Sequence, residues 1–186
     1  MDEAARTLSA LREWANFYVI VGSAGAALTG LQFVVMALVA ESGRRSTQRE
    51  ISAFGTPTVI HFCAVLLMSA ILSAPWHSLS SVAIALGAYG IAGLAYALVI
   101  FGYARRQTGY KPVFEDWLWH VVLPIVAYVL VLIAASLLTS HPHGVLFLIA
   151  VAALVLLFVG IHNSWDTITY FAISFSRAKK GTRKPD

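Results

Sequence analysis

FYVIVGSAGAALTGLQFVVMALVA, from Phe17 to Ala40, contains no charged residue. An α-helix rises about 1.5 Å per residue, so a run of this length covers the roughly 30 Å of hydrocarbon in a bilayer. The run is too long for a signal-peptide core, and Leu38 spoils a small-x-small cleavage site before Glu41. It reads as a retained first span. Working outward, four more apolar runs follow at about 58–74, 82–103, 117–139 and 144–165, the last continuing amphipathically toward Phe175. The second is the shortest, which implies little tilt or local thinning of the bilayer. The runs lack the period-2 alternation of strands, and a barrel needs more and shorter segments. The expected fold is all-α: a polytopic transmembrane helical bundle of about five spans, forming a single domain over residues 1–186.

Composition agrees. Of the residues, 59% are hydrophobic and only 12% are charged, whereas soluble domains run near 45–50% and 25%. Folding in water leaves a large exposed shell, and this chain has too few polar residues to cover one. The single cysteine, Cys63, excludes a disulfide within the chain. It reads most simply as a small buried hydrophobe.

The connections set an orientation. One holds Arg44, Arg45 and Arg49, another holds Arg105, Arg106 and Lys111, and the tail at 176–186 holds Arg177, Lys179, Lys180, Arg183 and Lys184. The loops at 75–81 and 140–143 hold no Lys or Arg. With five spans, eleven of the 13 basic residues fall on one side, leaving Arg6 and Arg12 opposite. The positive-inside rule then puts the N-terminus outside and the C-terminus in the cytoplasm. Trp14, Trp76, Trp117, Trp119 and Trp165 fall at span ends, where amphipathic rings collect. The same charge distribution argues against a nucleic-acid partner, because no binding module accompanies it.

Small residues mark the expected contacts between helices. Gly22, Ala26 and Gly30 are spaced by four in the first span, and Gly87, Gly90 and Gly93 punctuate the third. Such residues let helix backbones approach, within the chain or between copies in a homo-oligomer. Pro124, inside the fourth span, is expected to kink it and to free a carbonyl.

Phe17 to Glu41, HFCAVLLMSAILSAPW (61–76), EDWLWHVVLP (115–124) and GIHNSWDTITY (160–170) together resemble a broad set of small bacterial multi-pass membrane proteins that have no established activity. The resemblance implies the bacterial inner membrane. Some members of that set are loosely labelled modulators of a membrane-bound protease, which implies a larger membrane complex as a partner.

Polar groups inside spans are costly and are functional candidates. His61 and His120 each lie three residues into a span, about 4–5 Å from its cytoplasmic boundary. His162 falls near the same boundary, Gln32 lies in the inner third of the first span, and Asn163 and Asp166 follow His162. Three functional readings suit this set: the mouth of an ion or solute pathway, a proton relay, or a metal site on His61, His120, His162 and Asp166. The plainer alternative is interfacial residues that bond neighbouring helices. Tyr89, Tyr96 and Tyr128 read as core rings whose hydroxyls find helix partners. His77, His141 and His143 read as solvated loop residues on the outer side.

No serine stands on a nucleophile elbow, and no glycine-rich loop follows a strand, so the reading is not an enzyme and no cofactor is expected. The leading expectation is passage of a small ion, proton or solute by an oligomeric bundle. A non-catalytic modulator of a larger complex comes second, and a metal or haem redox module third. The orientation is testable by C-terminal fusion: a fluorescent reporter should light up, and a periplasm-dependent phosphatase should stay inactive. The opposite pattern would refute the topology.

Overall fold

The computed structural model describes residues 9–41, 48–105 and 114–181. Among these every regular element is helical. Five long helices follow in order: α1 (Ala15–Glu41), α2 (Gln48–Ser73), α3 (Leu79–Arg105), α4 (114–137) and α5 (Pro142–Gly181). A short helical stretch at 9–13 precedes α1 and breaks at Trp14. There Ala10 and Leu11 enter the core, and the Trp14 ring meets the Phe147 ring edge-on at 4.6 Å. Of the basic residues that set the expected orientation, Arg6, Arg44, Arg45, Arg106, Lys111, Arg183 and Lys184 lie outside the described residues.

Four helices are long and apolar enough to cross a membrane, over Ala15–Leu38, Leu79–Tyr103, Leu118–Leu137 and Pro142–Thr169. The apolar part of α2, Pro57–Ser73, is shorter, about 25 Å at 1.5 Å per residue. Its first turn carries Gln48, Arg49 and Glu50, which is why a helix of 26 residues has an apolar stretch of only part of that length. At the other extreme α5 runs for 40 residues, about 60 Å, well past the expected end near Trp165. Large apolar side chains cover the exterior: Ile20, Phe33, Ile84, Ile91, Phe147 and Phe158 are exposed. Such a surface is a liability in water and at ease in hydrocarbon.

Neighbours α2, α3, α4 and α5 close a ring, and α1 packs between α2 and α5. Each helix of the α1/α2/α5 group buries one stripe at spacings of three and four, the repeat that keeps residues on one face. In α5 the stripe runs Leu146, Ile149, Ala153, Leu156, Gly160, Asn163 and Thr167. In α2 it runs Thr58, Phe62, Val65, Ser69 and Leu72, with His61 and Met68 beside it. In α1 it runs Tyr18, Val21, Gly22, Gly25 and Gln32.

Close approach occurs where glycine leaves room. A Cβ on Gly22 would press on Ser69 Cβ at 2.7 Å, and one on Gly25 would stand 3.0 Å from the Phe62 carbonyl oxygen. A Cβ on Gly160 would strike the Phe62 ring, one on Gly90 would meet Leu132 Cδ2 at 2.8 Å, and one on Gly93 would strike the Tyr128 ring. The expected Gly22/Ala26/Gly30 ladder therefore needs correcting within the chain. Ala26 and Gly30 are exposed, and among the described residues nothing lies within 4 Å of a Cβ on Gly30 or Gly87. The cause is geometric: at 3.6 residues per turn, a strict spacing of four walks about 40° around the helix at each step. The packed face alternates three and four and passes through Gly25.

Pro124 has its effect one turn earlier. Lacking an N–H, it cannot bond the His120 carbonyl, and its ring crowds that oxygen. The helix responds with a π-helical segment at Leu118–Val122, in which the Leu123 N–H donates to the Leu118 carbonyl, five residues back. The expected disturbance at Pro124 takes the form of a widened turn, and that turn carries Trp119 and His120.

Replacing Gly93 or Gly160 by Ala should destabilise the detergent-solubilised protein by about 1–3 kcal/mol, the usual cost of overpacking. Gly30→Ala should leave stability unchanged or raise it slightly, because Ala is the better helix former. Unfolding followed by circular dichroism checks the contrast, and equal effects at all three positions would contradict the packing described.

Candidate functional site

The buried stripes of α1, α2 and α5 turn polar at the same end of the bundle. Helices α1 and α2 are antiparallel, since Gly22 faces Ser69 and Gly25 faces Phe62. Helices α1 and α5 are parallel, since the Tyr18 hydroxyl lies 3.5 Å from the Leu146 carbonyl and the Ser164 hydroxyl donates to Gln32 Oε1 at 3.3 Å. The polar ends therefore converge: Gln32 from α1, Thr58 and His61 from α2, Asn163 and Thr167 from α5. Gln32 and His61 are each 2% exposed, and Asn163 is 3% exposed.

Secondary structure has used up the backbone of these helices, so the side chains must find partners of their own. Thr167 does so by donating to the Asn163 carbonyl at 2.8 Å. At this end four buried side-chain atoms have no hydrogen-bond partner among the described residues, Gln32 Nε2, His61 Nδ1, and both Asn163 Nδ2 and Oδ1, and Ser69 Oγ further along α2 is a fifth on these helices. A buried polar atom left unpaired costs about 1–3 kcal/mol. Buried polar groups in folded proteins are almost always satisfied, by protein or by ordered water. Three such side chains near one level make a polar end whose hydrogen bonds are incomplete among the described residues.

The remaining expected residues sit around this site and not in it. His120, on the π-helical segment, lies within electrostatic range of His61. His162 turns the other way: its ring stacks on Trp119, with centroids 4.0 Å apart and planes at 18°. Its Nε2 lies 3.2 Å from Asp166 Oδ2, with side chains 22% and 54% exposed. His61, His120, His162 and Asp166 thus form two pairs. Among the described residues no three His, Cys, Asp or Glu side chains gather around one point as a metal ion requires.

Cys63 is exposed, not buried. It lies on the outward stripe of α2 with Leu66, Leu67 and Ala70, one residue past the buried Phe62. Tyr89 and Tyr128 are core rings 5.9 Å apart, but the Tyr89 and Tyr96 hydroxyls are buried with no partner among the described residues. His77, His141 and His143 are exposed, and His141 Nδ1 contacts the Ser140 hydroxyl at 3.0 Å. Thr58, Ser164 and Thr167 escaped the sequence reading. The signal for Thr167 was present, because it stands four residues after Asn163 and continues the α5 stripe.

Beyond the membrane-compatible helical class that this fold defines, comparison adds no relative: the chain matches no family model, no curated protein and no solved structure.

Asn163→Leu keeps the branched shape and heavy-atom count of the side chain, adds some bulk, and removes two unpaired polar atoms. It should hold stability or raise it, by up to about 1–3 kcal/mol. A clear fall in unfolding midpoint would mean that Asn163 bonds the helices together structurally.

Proposed function

We propose that this chain is an integral membrane protein of the cell membrane, with five spans, that passes a small polar species by way of the Gln32/His61/Asn163 site. One observation carries the reading: three helices end their buried stripes in polar side chains near one level, and four of those side-chain atoms find no partner among the described residues. Residues kept polar and unpaired in a hydrocarbon setting lower stability, and function is the usual reason they persist. Under the proposed topology the site lies toward the cytoplasm, where the basic connections collect. The short apolar part of α2 serves as the fifth span, close to the thickness of the bilayer core. Ala26 is exposed, nothing among the described residues lies within 4 Å of a Cβ on Gly30 or Gly87, and these positions lie on surfaces where a second copy could approach closely.

The purified protein, reconstituted in liposomes, should raise the flux of at least one member of a panel of protons, alkali cations, chloride and small uncharged solutes above that of protein-free vesicles. Asn163→Leu should remove the increase, while Ser136→Ala, on the exposed face of α4, should keep it. If every member passes no faster than in protein-free vesicles, the reading is refuted.

A further inference from the structure

We infer that the species accepted by the Gln32/His61/Asn163 site is a small uncharged hydrogen-bonding molecule, of the size and chemistry of water, urea or glycerol, and not an ion. This rests on the passage reading above and narrows it. The unpaired atoms supply both kinds of hydrogen bond: Gln32 Nε2 and Asn163 Nδ2 donate, Asn163 Oδ1 accepts, and His61 Nδ1 does either according to its tautomer. A molecule carrying both donors and acceptors satisfies all of them at once.

An ion fits poorly, for three reasons. First, no Lys, Arg, Asp or Glu is among the buried residues described, and the nearest carboxylate on α5, Asp166, is half exposed and already on His162. A charge placed here has no opposite fixed charge to offset its desolvation. Second, α1, α2 and α5 run as unbroken helices through this level, so their carbonyls are engaged in helical hydrogen bonds. Pathways that strip cations of water use unwound backbone or rings of carbonyls to replace the hydration shell. The remaining acceptors are neutral side-chain oxygens of Gln32, Asn163 and the neighbouring hydroxyls, and at most His61 Nδ1, with no carboxylate among them, a poor replacement for the shell of a bare cation. Third, on the side away from the polar end, Phe62 is fully buried. Its ring lies over Gly160 and its carbonyl lies against Gly25. The packing there is tight, which leaves little room on that side for a larger guest.

Stopped-flow light scattering on proteoliposomes tests this. Vesicles are challenged with urea and with glycerol gradients, and osmotic water flux is recorded alongside. Matched vesicles report protons through an entrapped pH dye, and potassium and chloride through a potential-sensitive dye. Urea, glycerol or water should cross faster than in protein-free vesicles, with no added proton, potassium or chloride flux. Asn163→Leu should cut the solute rate about tenfold, the ratio that one lost hydrogen bond gives. Gln32→Leu should do the same while both variants keep the wild-type circular dichroism spectrum and elution volume. Ser136→Ala should be silent. Proton, potassium or chloride flux, with or without solute flux, overturns this inference and leaves the passage reading standing. No flux of any kind overturns both.

Discussion

Phe62 joins α1, α2 and α5, and the contact depends on the absence of two side chains. Gly160 gives its ring a place to lie, and Gly25 lets α1 settle against its backbone. In a lipid setting helices gain little from burying apolar surface, because the tails are as apolar as leucine. What remains is van der Waals contact, which falls off steeply once a gap opens. The Gly25–Phe62–Gly160 sandwich is one such close contact, and it draws the three helices together next to the polar end. Gln32, His61 and Asn163 come to nearly one level beside it, with Ser164 linking α5 to Gln32.

The same sandwich divides the group into two chemical halves. On one side the stripes are filled mainly by residues such as Val65, Met68, Ile149 and Leu156, which ask only for shape, with the buried Ser69 hydroxyl as an exception. On the other side lie amide, imidazole and hydroxyl groups whose needs the protein meets only in part. Ser164 and Thr167 bond within the chain, while Gln32 Nε2 and the Asn163 amide have no partner among the described residues. A wholly apolar version of this end would pack and fold at least as well by elementary energetics. That is the physical ground for assigning the polar end to something other than holding the helices together.

Much of the architecture was legible because apolar length is a coarse and robust signal. Helix starts at Ala15, Leu79 and Pro142 lie within a few residues of the positions that hydropathy indicates. Facing was less legible. Gly22, Ala26 and Gly30 look like one face on a ladder of four, yet only Gly22 is packed, because the true stripe drifts through Gly25. His162 drew attention as an imidazole at a suggestive depth, while its neighbour Asn163 holds the buried position. The α5 periodicity from Ile149 through Leu156 and Gly160 distinguishes the two, and it was available in the sequence. Pairings across helices were not: nothing local to Trp119 announces a stack on His162, and nothing local to Gln32 announces Ser164. Those follow from rotation about each axis, which side-chain packing sets. Pro124 marks an intermediate case, since its missing donor was plain but the choice of a π-helical segment over a sharp bend was not.

The length of α5 has a mechanical consequence. Its helix runs without a break from the loop before Pro142 to Gly181, so Asn163 and the last turn belong to one stiff rod about 60 Å long. Roughly half of that length suffices to cross the hydrocarbon, and the rest extends past it as a lever. A rod has no joint at which to isolate one end from the other. Any body that grips the far end and turns or tilts it changes the azimuth of Asn163 against Gln32 and His61, with the Phe62 contact as the nearest fulcrum.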